Sequence, residues 1–448
     1  MTELAGRQDA PVLLLTKLHP PFVPAQAVAR ERLFARLGEG RGRRLSLVAG
    51  PAGFGKSTLL AAWREHELAH RPVAWVTLDG GDDDTVVLWS HVVEALCRAC
   101  PGLAHEELAA AAAGAPLLEV ALPRLVNELL EQEDVVLVLD DFHRLTGATA
   151  RESVAWFVEH LPATVQLVLS TRADPALPLG ALRAHGELVE LRADGLRFTI
   201  DEAGEFLNAR LGLGLAADDV ELLVARTEGW PAGIYLAALS LTGKDDKPAL
   251  VRAFDGTSAH VVDFLSTEVL DGFEPELRDF MLRTSVLERL CAPLCDAVVG
   301  EPVSAAALES LARTNLFLLP LDDRREWFRF HHLFAQLLRV ELERREGELV
   351  PELHARAYAW HREYGTADEA IEHAVAAGAH AEAGELIAEV WVYYVNAGRT
   401  SSVHDWLQRI PAEVLAGDRR SRGCASSAGS TTGRCRTASP RSGRACRC

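Results

Sequence analysis

The sequence predicts an α/β P-loop nucleotide-binding domain on a parallel sheet, followed by a helical remainder. Three observations carry this. Gly50-Pro51-Ala52-Gly53-Phe54-Gly55-Lys56-Ser57-Thr58 reads G-x-x-x-x-G-K-S between an apolar run and a helical one. Apolar runs of strand length alternate with amphipathic stretches as far as Leu191, the pattern of a doubly wound parallel sheet. Beyond Thr199 the strands give way to helical periodicity.

The P-loop is the element on which the others depend. Its glycines let the backbone curl so that successive N–H groups face phosphate oxygens, and the next helix presents its positive end to the same charge. Lys56 is placed to reach the β- and γ-phosphates, and the Ser57 hydroxyl to hold Mg²⁺. Gly50, Gly53, Gly55 and Thr58 complete the candidate cradle for ATP or ADP. Leu45–Ala49 is the strand before it, and Leu59–Leu68 the helix after it.

Ahead of the loop, residues 1–26 are rich in proline (Pro11, Pro20, Pro21, Pro24) and read as an extended lead-in. Val28–Phe34 opens an amphipathic helix, for which a cover over the nucleotide's base and a solvated face both stand as readings. After the loop, Val73–Leu78 is a second strand ending at Asp79, and a charged turn leads to a helix near Thr85–Cys100. Residues 103–130 are Ala-rich and helical by propensity.

Val135-Val136-Leu137-Val138-Leu139 runs into Asp140-Asp141, a buried parallel strand with acids at its carboxyl end, where ligands bind in open α/β sheets. With a P-loop upstream this is a Walker B pattern. Asp140 would hold Mg²⁺ through water, and Asp141 would orient or polarise the attacking water. A helix near Ala150–His160 and a strand ending Ser170-Thr171-Arg172 follow. Arg172 is either a γ-phosphate sensor or a surface residue at a strand end. Gly186–Leu191 supplies the fifth strand.

The chain has 448 residues, 48% of them hydrophobic and 25% charged, the composition of an ordinary globular protein with about three domains. Its formal net charge of −18 argues against a nucleic-acid surface, since phosphate contact needs basic groups. No apolar run approaches the roughly 18 residues of a membrane span, and the N-terminus has no basic region before its short VLLL. A cytoplasmic location is expected. Cys97 and Cys100, with Cys291 and Cys295, form two distant pairs in helix-like stretches; reduced thiols fit them better than zinc ligands.

In the second half, Asp201–Leu211 and Asp218–Thr227 are amphipathic, and Glu228-Gly229-Trp230-Pro231-Ala232-Gly233 opens the apolar helix Ile234–Leu241. Residues 243–260 are polar and read as a linker. Trp327-Phe328-Arg329-Phe330-His331-His332-Leu333-Phe334 alternates like a short strand running into a helix, its histidines either capping that helix or meeting a phosphate. Residues 352–417 read as small-residue helical hairpins joined at Gly365 and Gly378, about one and a half repeats of an α-solenoid that needs about three. Residues 418–448 hold eight Arg against one Asp, a balance of +7, so residues 1–417 carry −25. Such a segment is expected to be disordered, and the abrupt change predicts an out-of-frame translation.

The order P-loop, LVLDD, LVLSTR, TEGWPAG and FRFHHLF, with the opening TKLHPP and VARERLFARL, resembles the signal-transduction ATPases with numerous domains. More narrowly it is similar to the large ATP-binding LuxR-type regulators of the maltose-regulon-activator kind, over about residues 12–415. The resemblance implies a nucleotide-binding domain over 27–195, a helical lid over 196–242, a winged-helix-like domain over 243–345 and a TPR-like sensor over 346–417. It implies an ADP-held resting form, which a small-molecule or protein inducer and ATP would open for self-association. It matches Arg30, in Val28-Ala29-Arg30-Glu31, to the base side, Arg172 to the first sensor, Pro231 to the adenine and His331 to the β-phosphate of ADP. Family members end in a long sensor and a DNA-binding helix-turn-helix. The expectation here is a truncated sensor with DNA contact only through a missing domain. The reading is thus a truncated ATP-dependent transcriptional regulator with slow hydrolysis at most. A P-loop phosphotransferase or mechanical ATPase and a non-functional remnant are its rivals.

Overall fold

The computed structural model describes residues 13–103, 116–313, 317–396, 400–412 and 414. The arginine- and cysteine-rich tail, with the expectations of disorder and frameshift placed on it, lies outside these residues, as do residues 104–115 of the Ala-rich stretch. The chain divides into two compact units, Met1–Phe264 with Leu311–Phe317, and Leu265–Ser310 with Leu318–Cys448.

In the first unit the five expected strands form one parallel sheet. They are β1 (Leu45–Ala49), β2 (Val73–Thr77), β3 (Val135–Asp140), β4 (Val165–Thr171) and β5 (Leu188–Leu191), in the order β2-β3-β4-β1-β5. Every residue of β1, β3 and β4 is buried. Runs such as VVLVL are therefore continuous rather than alternating, because both faces of the sheet are covered. One polar side chain, Gln166 in β4, enters this core fully used. Its amide donates to the Leu37 carbonyl at 3.0 Å and to Ser46 Oγ at 2.8 Å, and its oxygen accepts from Arg71 at 2.6 Å.

The helices around the sheet include α1 (Glu31–Gly38), α2 (Lys56–Glu67), α3 (Thr85–Ala99), α4 (Leu122–Leu130) and α5 (Ala148–His160). Trp89 of α3 meets Phe157 of α5 edge-on at 5.0 Å, and its indole N–H donates to Ser153 Oγ at 2.9 Å. Helix α2 begins at Lys56, three residues earlier than its apolar pattern suggests, directly after Gly55. Within the lead-in, Leu15–Leu18 form a 3-10 turn. The buried Lys17 ammonium there bonds Asp82 at 2.5 Å and Asp79 at 2.9 Å, so this segment is tied to the end of β2.

After β5 come α6 (Ile200–Gly204, continued as a wider π turn through Arg210), α7 (Ala217–Thr227) and α8 (Pro231–Leu241). The polar stretch read as a linker carries a further helix, α9 (Lys247–Ala253). Asp246 caps it by accepting from the Ala249 N–H at 3.1 Å, and Pro248 sits in its first turn.

The second unit contains α10 (Pro275–Thr284), α11 (Ala292–Val299), an antiparallel pair β6 (Leu318–Pro320) and β7 (Phe328–Phe330), and α12 (His332–Glu346). Phe328 and Phe330 are buried and Arg329 between them is half-buried, so the strand that runs into a helix forms where its alternation placed it. Helices α13 (Val350–Tyr364), α14 (Ala367–Ala376), α15 (His380–Asn396) and α16 (Thr400–Gln408) follow, each packed on the next. The four described cysteines, Cys97, Cys100, Cys291 and Cys295, are free thiols. Among the described residues no helix is long and apolar enough to cross a membrane.

Candidate functional site

The register of the sheet assembles the site. β4 lies between β1 and β3, so the loop leaving β1 and the acids ending β3 flank the last residues of β4. Lys56 is buried at the head of α2, and its ammonium donates to the carbonyls of Gly50 at 2.7 Å and Pro51 at 2.9 Å. Burial, with the Arg172 charge adding to it, pulls Lys56 down to about 8 against the opposing pull of Asp141 and Asp140. A cation desolvated in this way lacks a full countercharge, which phosphate oxygens supply.

Ser57 donates its hydroxyl to Asp140 Oδ1 at 3.0 Å. Ser170, from β4, donates to the same oxygen. Burial raises the Asp140 carboxyl above the ordinary range, and the two hydroxyl bonds oppose that. A serine hydroxyl and a carboxylate at one point are the hard oxygen donors that Mg²⁺ takes, so these residues fit that ion.

Asp141 follows in the left-handed region, φ 59° and ψ 39°, with its N–H donating to Ser170 Oγ at 3.0 Å. His143 Nδ1 is 3.9 Å from Asp141 Oδ1. Burial, then the charges of Arg172 and Lys56, hold His143 down to about 3, so it stands beside the acids as a neutral imidazole. The Arg172 charge weighs on both Lys56 and His143, and Arg172 directly follows β4. Sequence reasoning passed over both His143 and Ser170. The signals available were a histidine two residues after the acid pair and a hydroxyl on the strand next to it.

Two residues at the start of α8 shape the loop itself. The Trp230 indole N–H donates to the Ala52 carbonyl at 3.1 Å, and the Ala232 N–H donates to the Gly53 carbonyl at 3.0 Å. A side chain at Gly53 would bring its Cβ within 2.6 Å of Ala232 Cβ and 2.8 Å of Trp230 Nε1, at φ +74°. The glycine is thus required by Trp230 and Ala232 as much as by the turn. Pro231 occupies the first turn of α8, where its missing N–H costs nothing.

A cavity of about 460 Å³ opens beside the loop, bounded by Gly53, Gly55 and Thr58. Val28, Phe34, Phe198, Phe206, Pro231 and Tyr235 give it apolar walls, the surroundings that a flat heterocycle prefers. Arg30 borders it too, but its guanidinium is committed to the protein. It donates to the carbonyls of Leu196 at 2.9 Å and Arg197 at 2.5 Å, pairs with Glu202 at 3.1 Å, and lies 4.9 Å from the Phe198 ring centre. It fastens the start of α1 to the segment between β5 and α6. Arg30, Gly50, Gly53, Gly55, Lys56, Ser57, Thr58, Asp140, Asp141, Arg172 and Pro231 all belong to the first unit. His331 belongs to the second, where it is buried at the head of α12 and makes no capping bond with its side chain.

Residues 29–170 match the family model described as AAA ATPase domain, and residues 266–350 match the one described as MalT winged helix domain. The chain joins an AAA ATPase domain to a MalT-type winged helix domain. It is 38% identical over 409 residues to the serine/threonine-protein kinase PknK of Mycobacterium tuberculosis, covering 89% of this chain and 36% of the relative. It is 33% identical over 378 residues to the HTH-type transcriptional regulator MalT of Klebsiella pneumoniae, covering 82% and 41%. The chain therefore spans well under half the length of these relatives. Among solved structures, the Walker-type ATPase PABY2304 of Pyrococcus abyssi is similar at 16% identity with a TM-score of 0.47, over 70% of this chain and 98% of that one. The P-loop fold implies nucleotide binding.

Proposed function

We propose that this chain is the ATP-binding switch of a signal-responsive transcriptional regulator, with slow hydrolysis that resets it. The contact from Ser57 to Asp140 at 3.0 Å, beside a desolvated Lys56 and an apolar cavity, carries the reading. In it Lys56 holds the β- and γ-phosphates of ATP, and Ser57 and Asp140 hold Mg²⁺. That ion, when bound, neutralises phosphate charge. Asp141 orients the attacking water, Arg172 meets the γ-phosphate, Pro231 bounds the adenine, Arg30 braces the base side and His331 contacts the β-phosphate of the ADP form. A small-molecule or protein inducer and self-association in the ATP form belong to the same reading. The acidic balance of the chain, −18 overall, argues against DNA contact through these residues.

The relative named a protein kinase favours a second reading, a P-loop ATPase that works as an enzyme proper. Steady turnover above roughly 1 s⁻¹ without any partner supports that rival. The switch reading itself is tested by calorimetric titration with ATP and ADP, with and without Mg²⁺. Tight, Mg²⁺-dependent binding that Lys56→Ala abolishes is the expected result. Unchanged binding in Lys56→Ala would contradict the site.

A further inference from the structure

We infer that Ser170 is a positioning residue for hydrolysis, holding Asp141 in the conformation from which its carboxylate acts. The inference rests on the proposed switch, in which Asp141 orients the water. Ser170 is fully buried near the end of β4, opposite Val48 of β1. A hydroxyl has one proton to give and two lone pairs to share. This one gives its proton to Asp140 Oδ1 and accepts the Asp141 N–H at 3.0 Å. It thus spans the turn between the last residue of β3 and the first residue beyond it.

That turn needs holding. Asp141 sits at φ 59° and ψ 39°, the left-handed region, which is costly for a residue with a side chain although aspartate enters it more readily than most. The direction of its carboxylate follows from that backbone. Of the two hydroxyls on Asp140, Ser57 is the one assigned to the metal in the switch reading, and Ser170 is the one that is not. The neighbouring Thr171 hydroxyl does not substitute, because it donates to the Ala173 carbonyl at 2.6 Å. Ser170 therefore ties the strand that leads into Arg172 to the backbone of the water-orienting acid.

The test uses the full chain and three variants. Ser170→Ala should lower kcat about tenfold or more, as misplaced reacting groups do, while ATP affinity stays within about threefold because Lys56, Ser57 and the cavity are untouched. Ser170→Cys keeps the size but is a weak donor, and should behave like Ser170→Ala. Ser170→Thr keeps the hydroxyl and should restore turnover. Parental kcat in Ser170→Ala or in Ser170→Cys overturns the inference, as does a loss of affinity that matches the loss of turnover. Hydrogen exchange over residues 135–146 reads the same bond without turnover. Faster exchange at the Asp141 amide in Ser170→Ala is expected, and unchanged exchange overturns the assignment. A parent chain that binds Mg²⁺–ATP without hydrolysing it counts against the hydrolytic switch, and the exchange measurement then decides the role of Ser170.

Discussion

The indole of Trp230 hydrogen-bonds the main-chain carbonyl of Ala52 at 3.1 Å, although 178 residues separate the two in sequence. Trp230 is fully buried and meets Phe264 and Phe317 edge-on at 5.6 and 5.2 Å. Its ring anchors the start of α8 while its N–H fixes the P-loop. Trp230→Phe keeps the ring and removes the donor, leaving a buried carbonyl unpaired at a cost of about 1–2 kcal/mol. If the bond holds the loop in its binding shape, ATP and ADP affinity fall about fivefold or more. Equal affinities for parent and variant by calorimetry would show that the bond serves packing alone.

The proton on Lys56 gives a pH signature to binding. In the free protein its ammonium is pulled down to about 8, chiefly by burial. Phosphate oxygens favour the charged form and raise that value in the complex. Above pH 8 the free protein thus holds fewer protons than the complex, so binding takes one up and weakens as pH rises. Affinity should fall about tenfold from pH 7 to pH 9. Titrations in two buffers of different ionisation heat should report proton uptake near pH 8.5. Constant affinity over this range, without uptake, contradicts the shift.

Much of the first unit is legible from local pattern. The strands at Leu45, Val135 and Val165 are continuous apolar runs because parallel strands are buried on both faces, and the P-loop and paired acids announce their own neighbours. Legibility ends where a role depends on distant chain. Arg30 is read as a base-side residue, yet its partners Leu196, Arg197 and Glu202 lie more than 160 positions away. Trp230 looks like part of a helix-breaking turn until its indole is seen on the loop. The helix Lys247–Ala253 hides in a polar stretch because its stability comes from the Asp246 cap and from burial of Val251 rather than from an apolar stripe.

A histidine cluster makes the second unit acid-sensitive. His354 and His373 face each other Nδ1 to Nδ1 at 2.8 Å, and the His361 ring stacks on His373 with centres 5.4 Å apart. They border a cavity of about 460 Å³ that Arg289, Arg339 and Glu369 also face. Burial comes first among the causes that lower all three, His373 to about 3, and the positive neighbours add to it. The unfolded chain takes up these protons near pH 6.5, whereas the folded chain resists. Stability is therefore intact above about pH 6.5 and is lost as pH falls from there toward 3. Keeping His373 neutral costs about 1.4 kcal/mol at pH 5.5. Urea unfolding of the full chain should show a lower midpoint at pH 5.5 than at pH 7.5, and His373→Gln should shrink the difference. Identical midpoints at the two pH values refute this.

Gly229 offers a test in which sterics and backbone preference can be separated. It stands at φ +69°, and a Cβ there would lie 2.7 Å from the Phe198 carbonyl oxygen. The Phe198 N–H donates to the Gly229 carbonyl at 2.7 Å, so the two backbones are already in contact. Gly243 has nearly the same backbone, φ +72°, with nothing within 4 Å of an added Cβ. Gly243→Ala should cost only the left-handed penalty, about 1–2 kcal/mol. Gly229→Ala adds a backbone clash, and should cost at least about 1 kcal/mol more and lower Tm further. Because Trp230 and Pro231 come next in the chain, it should also weaken nucleotide binding, which Gly243→Ala should leave alone. Equal melting temperatures and equal ATP affinities for the two variants would mean that the Phe198–Gly229 contact does not hold Trp230 and α8 on the loop.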